Sequence, residues 1–201
     1  MKLFDGGKAP NPRRVRIFLA EKGLTVPNEP LYPDRFETQL CDVDGDPAGQ
    51  GPVLVLDDGT VITESLAICR YFEGIRPEPP LFGRPGKEEA LVEMWNRRVE
   101  LTLGPAVAAA FRNLSSAAAQ TENEAEYREE TCRVTVLAFL QSLDEELEDR
   151  LFIVSDHYTV ADITALVSID FVMPETRAML DDLVNLRRWY AQVTARPSAS
   201  A

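Results

Sequence analysis

Gly49-Gln50-Gly51-Pro52-Val53-Leu54-Val55-Leu56-Asp57-Asp58-Gly59-Thr60-Val61-Ile62-Thr63-Glu64-Ser65 decides how this chain is organised. Val53 to Leu56 is a short apolar run suited to a buried strand. Asp58-Gly59 signals a two-residue hairpin turn, and Val61-Ile62 returns as the second strand. Pro52 has no N–H to give to a ladder, so it belongs at the first residue of an edge strand or in a tight turn. It is also a candidate for a cis peptide bond. Glu64-Ser65 then opens a helix running to about Gly74, at a terminus whose backbone donors favour negative charge.

Upstream of this hairpin the signals alternate between strand and helix. Lys2-Leu3-Phe4 reads as a strand broken by Gly6-Gly7, and Asn11-Pro12 as a helix opener, a capping side chain ahead of proline at the first helical position. Val15, Phe18 and Leu19 give that helix one apolar face, and Gly23 closes it. Residues 28–48 are rich in Pro, Asp and Gly, and Asp42-Val43-Asp44-Gly45-Asp46 reads as an exposed loop.

Downstream, Pro77-Glu78-Pro79-Pro80 with Gly83, Pro85 and Gly86 forms a stiff linker. Beyond it, 87–113, 122–149, 159–172 and 183–195 all carry helical apolar spacing with charged opposite faces. Thr159-Val160-Ala161-Asp162 is a capping box directly before Ile163, Leu166, Val167 and Phe171, a structural device whose truncation costs about 1 kcal/mol. The pattern predicts a β/α unit over 1–76, a linker over 77–86 and an all-helical unit over 87–201.

The chain has 201 residues and a formal charge of −12. Residues 1–76 hold 9 basic and 12 acidic side chains, a net of −3, and residues 77–201 hold 12 and 21, a net of −9. Nucleic acid and anionic membrane surfaces both require a basic footprint, so neither is an expected partner. No apolar run approaches the roughly 18–20 residues that span a bilayer. Met1 to Gly6 lacks the apolar core of a secretory signal, so the expected location is cytoplasmic. Cys41, Cys69 and Cys132 are widely spaced, and His157 is the one histidine. A zinc site needs four placed ligands, so no metal is expected, and the cysteines read as reduced thiols.

Four pieces in order carry a family resemblance. They are Ala9-Pro10-Asn11-Pro12-Arg13-Arg14-Val15-Arg16, the stretch from Gly49 through Thr63-Glu64-Ser65-Leu66-Ala67-Ile68, the capping box, and the tail from Leu186-Arg187-Arg188-Trp189-Tyr190 to Arg196-Pro197. Over nearly its full length the chain resembles a cytosolic glutathione transferase, a detoxification family of transferases. The resemblance implies a thioredoxin-like α/β N-terminal domain, an all-α helical-bundle C-terminal domain and a homodimer. Its co-substrate would be glutathione and its second substrate a small hydrophobic electrophile.

On that resemblance Pro52 is the cis-proline and the Gly51 backbone pairs with the cysteinyl part of glutathione. Glu64 and Ser65 hold the γ-glutamyl end, and Gln50 contacts the glycyl carboxylate. The γ-glutamyl end carries both an ammonium and a carboxylate, so an acidic acceptor beside hydroxyl and amide donors suits it. Two departures from the family pattern stand out. Glycine occupies position 51 where valine is usual, and residues 36–46 offer three aspartates but no lysine or histidine to grip the glycyl carboxylate.

The chemistry implied is attack by a thiolate on an electrophile. A thiol of pKa near 8.5 is only a few per cent ionised at pH 7, and lowering it two units takes roughly 2.7 kcal/mol. One hydrogen bond to the anion, about 1.5–3 kcal/mol, with a helix N-terminus, about 0.3–1, suffices. Ala9 stands where the family often has serine, and no cysteine precedes residue 41, which excludes the omega-type arrangement. Asn11 carries an amide donor at the position where nu-type transferases use asparagine, and is the catalytic candidate. Its plainer reading is a helix cap. Arg13, Arg14 and Arg16 oppose the dipole of the same helix, and Arg14 is the candidate that draws in anionic glutathione. Trp95, Arg98 and Phe111 are candidates to line the electrophile cleft, although aromatics at helical spacing are more often core. The competing reading is a non-catalytic glutathione-binding scaffold or regulator, favoured by Ala9, Gly51 and the acidic loop.

Overall fold

The computed structural model describes residues 1–30, 51–114, 122–176 and 182–201, with side chains over 1–30, 51–108, 133–171 and 182–201. Gln50, Cys41 and the aspartates at 42, 44 and 46 therefore lie outside the described residues, as do the side chains of Phe111 and Cys132.

The chain begins with strand β1 (Lys2–Asp5), helix α1 (Pro10–Lys22) and strand β2 (Asn28–Pro30). Strands β1 and β2 pair in parallel with Leu3 opposite Asn28 and Phe4 opposite Glu29, and α1 supplies the crossover that a parallel pair requires. β2 falls in the stretch rich in Pro, Asp and Gly, where the sequence signals no strand. Its three residues are all exposed and none is a strand-forming apolar residue, so only the pairing with β1 makes it a strand.

Strands β3 (Val53–Val55) and β4 (Val61–Ile62) form the expected hairpin, Leu54 opposite Ile62 and Val55 opposite Val61. The connection has three residues rather than two. Gly59 N–H donates to Leu56 C=O at 3.1 Å, Leu56 N–H to Thr60 C=O at 2.8 Å, and Gly59 sits at φ 86. A turn over Leu56–Gly59 followed by a left-handed glycine bulge accounts for all three observations. The sheet order is β2-β1-β3-β4, so β3 is interior and Pro52 stands just ahead of it. The edge-strand placement for Pro52 is thus corrected, and no ladder bond is lost.

Helix α1 begins earlier than Asn11-Pro12 suggests. Ala9 is its cap residue, no side chain caps it, and Pro10 opens it. Pro12 is tolerated because the first-turn N–H groups have no helical acceptor in any case. Gly23 at φ 60 ends the helix, with its own N–H on Ala20 C=O at 3.0 Å and that of Leu24 on Leu19 C=O at 2.9 Å. That double bond pattern is a Schellman close. Helix α2 (Ser65–Ile75) follows β4 and packs on α1 and β3. Leu3, Val15, Phe18, Leu54, Ile68 and Phe72 form the core between sheet and helices.

The rest is helical: α3 (Lys87–Leu114), α4 (Glu122–Glu146), α5 (Val160–Thr176) and α6 (Val184–Thr194). Every residue from Tyr158 to Ile169 is buried, so α5 has no charged outer face there. It is the central helix, packed on α3 and α6, and a helix apolar on all sides belongs inside. The acid in its first turn, Asp162, is fully buried. Asp162 accepts the N–H groups of Thr159 (2.9 Å) and Ile153 (2.9 Å), the Thr159 hydroxyl (3.0 Å) and the Trp189 indole N–H (2.8 Å). Burial pushes its carboxyl up from the usual range, and the four donors pull it back. The box thus also ties the preceding loop and α6 to the start of α5.

The chain divides into two compact units, 1–82 with 197–201, and 83–196. The terminal turn Pro197–Ser200 packs on α1, where Arg13 Nη2 donates to Ala199 C=O at 3.0 Å and Ser198 Oγ to Glu21.

Candidate functional site

The first unit brings several of the sequence candidates to the ends of α1 and α2. The loop before α1 is held by its own residues. Gly7 N–H donates to Asp5 Oδ1 at 2.8 Å, and Arg16 Nη1 reaches Asp5 Oδ2 (2.6 Å), Asp5 Oδ1 (2.8 Å) and Gly7 C=O (3.0 Å). The three arginines therefore part ways. Arg13 goes to the terminal turn, Arg16 to the loop, and Arg14 inward.

Arg14 is 4% exposed, and its Nη1 donates to Ser65 Oγ at 2.7 Å. Ser65, 3% exposed, is the first residue of α2. Glu64 ahead of it is exposed and sits at φ 67, ψ 118, a backbone region that non-glycine residues rarely enter. Holding it there costs on the order of 1–3 kcal/mol, and such outliers collect where function fixes the geometry. No side chain caps α2. The Glu64 carboxylate is therefore not used as a cap and remains at the surface. Asn11 is likewise exposed in the first turn of α1, a helix without a side-chain cap, so its amide is not used as a cap either.

The Gly51–Pro52 peptide is cis, with Pro52 buried at the mouth of β3. Gly51 itself is at φ 61. Valine there would be strained by about 1–2 kcal/mol, which gives the departure from valine a backbone reason. Pairing with an extended peptide requires an extended backbone, and glycine makes that change without a Cβ clash.

The electrostatics favour an anion. Neither α1 nor α2 carries an acid in its first turn, Glu64 at the cap of α2 is the one carboxylate beside these two positive ends, and the buried Arg14 cation adds to them. Cys69, one turn below Ser65, is a free thiol that burial pushes up to about 12 despite the nearby Arg14 charge. It is no nucleophile at neutral pH. Lys22 is also buried, but Glu73 at 2.5 Å and the carbonyls of Pro77 (3.1 Å) and Pro79 hold it away from chemistry. Nothing in the sequence around Lys22 signalled that role.

In the second unit Trp95 is core, 4% exposed, with the Arg98 guanidinium 4.8 Å over its ring. Among the described residues no group of three or more His, Cys, Asp or Glu could hold a metal ion. Among them no helix is long and apolar enough to cross a membrane.

Two family descriptions match the chain: glutathione S-transferase, N-terminal domain, over residues 9–75, and glutathione S-transferase, C-terminal domain, over residues 94–197. Glutathione S-transferase 2 of Saccharomyces cerevisiae is 28% identical over 98% of this chain and 87% of its own length. The crystal structure of a class Gtt2 glutathione S-transferase of Vibrio parahaemolyticus is 34% identical, with a TM-score of 0.79 over 98% of this chain and 94% of that one. A glutathione S-transferase from Methylobacillus flagellatus, solved with glutathione bound, is 25% identical, with a TM-score of 0.83 over 99% of this chain and 96% of that one.

Proposed function

The chain belongs to the glutathione S-transferase family and is a glutathione transferase, and on that premise we propose that it holds glutathione as the thiolate for attack on a small hydrophobic electrophile. The observation that carries the reading is the corner where α2 begins: a strained, exposed Glu64 beside a buried Ser65 that rests on the Arg14 cation. Glu64 accepts the γ-glutamyl ammonium, and Ser65 and the α2 amides donate to the adjacent carboxylate. Gly51, turned to an extended backbone, pairs with the cysteinyl part beside Pro52, and Gln50 meets the glycyl carboxylate. Arg14 contributes its charge beneath Ser65, to whose hydroxyl it donates.

The sulfur then lies near the opening turn of α1, where the Asn11 amide donates to the anion. The thiol proton leaves for solvent, a carbon–sulfur bond forms at the electrophile, and the leaving group departs with its electron pair. Conjugation is the simplest outcome, and related lyase or reductase chemistry starts from the same thiolate. Exposed Leu101 and Val134 on the adjoining helices α3 and α4 support a homodimer.

The test is conjugation of a chlorinated nitrobenzene with the parent and Asn11→Ala. Losing one hydrogen bond to the thiolate lowers kcat/KM roughly 10- to 100-fold with little change in KM for glutathione. An unchanged rate removes Asn11 from the mechanism. A parent that binds glutathione but never conjugates it supports the scaffold reading, which the missing hydroxyl at Ala9 favours.

A further inference from the structure

Ser65 is the residue on which the recognition of a carboxylate depends, yet a serine hydroxyl by itself is indifferent. It offers one O–H donor and two acceptor lone pairs and turns to suit its neighbour. Here one lone pair is already engaged. Arg14 Nη1 donates to Ser65 Oγ at 2.7 Å, and a guanidinium has no acceptor through which the relation could reverse. Arg14 and Ser65 are 4% and 3% exposed, so water has little access with which to replace that bond.

From this, and resting on the glutathione reading above, we infer that Arg14 is a positioning residue that acts through Ser65. By engaging one lone pair with a cation it turns the O–H away from the guanidinium and toward an anion, and its charge strengthens that donation. The pair thereby selects thiol peptides that present a carboxylate at the γ-glutamyl end over those that present none. Arg14 need not touch glutathione to do so.

Three further observations agree. Arg14 comes from α1, a separate element 51 residues away in sequence, so the bond is a tertiary feature rather than a local turn. Its Nη1 meets the first residue of α2, so the guanidinium stands at the opening turn of that helix. Arg13 and Arg16 are bound elsewhere, to Ala199 and Asp5, so neither makes this contact. The general chemistry is that of a charge-assisted chain: cation to hydroxyl, hydroxyl to anion, each bond polarising the next.

The experiment is a double-mutant cycle read by calorimetric titration with glutathione and with 4-aminobutyryl-cysteinylglycine, which lacks the γ-glutamyl carboxylate. Arg14→Gln should weaken glutathione roughly tenfold or more, and Ser65→Ala similarly. In the Ser65→Ala background Arg14→Gln should then cost less than about twofold, because the residue through which it acts is gone. Binding of the carboxylate-free analogue should change by less than about twofold in every variant. In turnover the loss should appear in KM for glutathione and not in kcat, which a merely structural defect would not respect.

Arg14→Lys keeps the charge and is the second variant should Arg14→Gln not fold. It should lose about threefold with Ser65 present and nothing in the Ser65→Ala background. Independent, multiplying losses for the two residues would overturn the inference, as would an equal loss for both ligands. A parent without glutathione affinity would instead refute the functional reading beneath it.

Discussion

Replacing Glu64 by glycine should make the fold no weaker while removing much of its hold on glutathione. Glu64 is held at φ 67, ψ 118, which costs on the order of 1–3 kcal/mol for a residue with a Cβ. Glycine has no Cβ to strain there but loses about 0.5–1 kcal/mol more chain entropy on folding. The net effect of Glu64→Gly is then a gain of roughly 0–2 kcal/mol in unfolding free energy. Against this, deleting the carboxylate removes a charge-assisted bond to the ligand ammonium, about 1.5–3 kcal/mol, or roughly 10- to 150-fold in Kd. Urea titration followed by far-ultraviolet circular dichroism measures the first. Tryptophan fluorescence will not, because Trp95 and Trp189 both lie in the second unit. Calorimetric titration with glutathione measures the second. Glu64→Ala is the control, losing affinity without relieving the strain. A Glu64→Gly protein destabilised by more than about 1 kcal/mol would refute the strain argument, and unchanged glutathione affinity would refute the role of the carboxylate.

Two further outcomes follow from buried groups. Asp162→Ala leaves the Thr159, Ile153 and Trp189 donors without their acceptor and should destabilise by about 3–5 kcal/mol, read by urea titration of Trp189 fluorescence. A loss near 1 kcal/mol would mean the carboxylate does no more than cap its helix. Cys69 should resist alkylation in a Cys41→Ser, Cys132→Ser background until the protein unfolds, since burial pushes its pKa to about 12 from 9.0. Between those values the unfolded chain releases the proton and the native one keeps it, so stability should fall as pH rises, by about 1.4 kcal/mol per unit. Comparing urea midpoints with Cys69→Ala isolates this slope, and parallel profiles would refute it.

What the sequence showed and what it hid divide along local against non-local causes. The hairpin was legible because an Asp-Gly pair between apolar runs is a short-range signal, although the glycine bulge that lengthens its turn was not. The start of α2 at Ser65 was legible too. Strand β2 was hidden because Asn28-Glu29-Pro30 carries no apolar pattern and exists only through pairing with β1. The opening of α1 was misplaced by two residues because two prolines compete for the same position, and Pro10 takes it. Asp162 reads as a capping acid, but its bonds to Ile153 and Trp189 depend on packing that no spacing encodes. In the site, an arginine triplet opposing a helix dipole was a sound hint, yet only coordinates separate the inward Arg14 from Arg13 and Arg16. Gly51 looked like a weakened family position, and its positive φ supplies the reason.

The account stands or falls on the ionisation of a ligand sulfur in the first unit. Titrating the ultraviolet absorbance of the thiolate against pH, with the protein saturated by millimolar glutathione, measures it without any electrophile. An apparent pKa for the bound thiol below about 7, against roughly 8.5 for the free one, is the expected result. A bound thiol that titrates like the free one, or no binding at all, would contradict it.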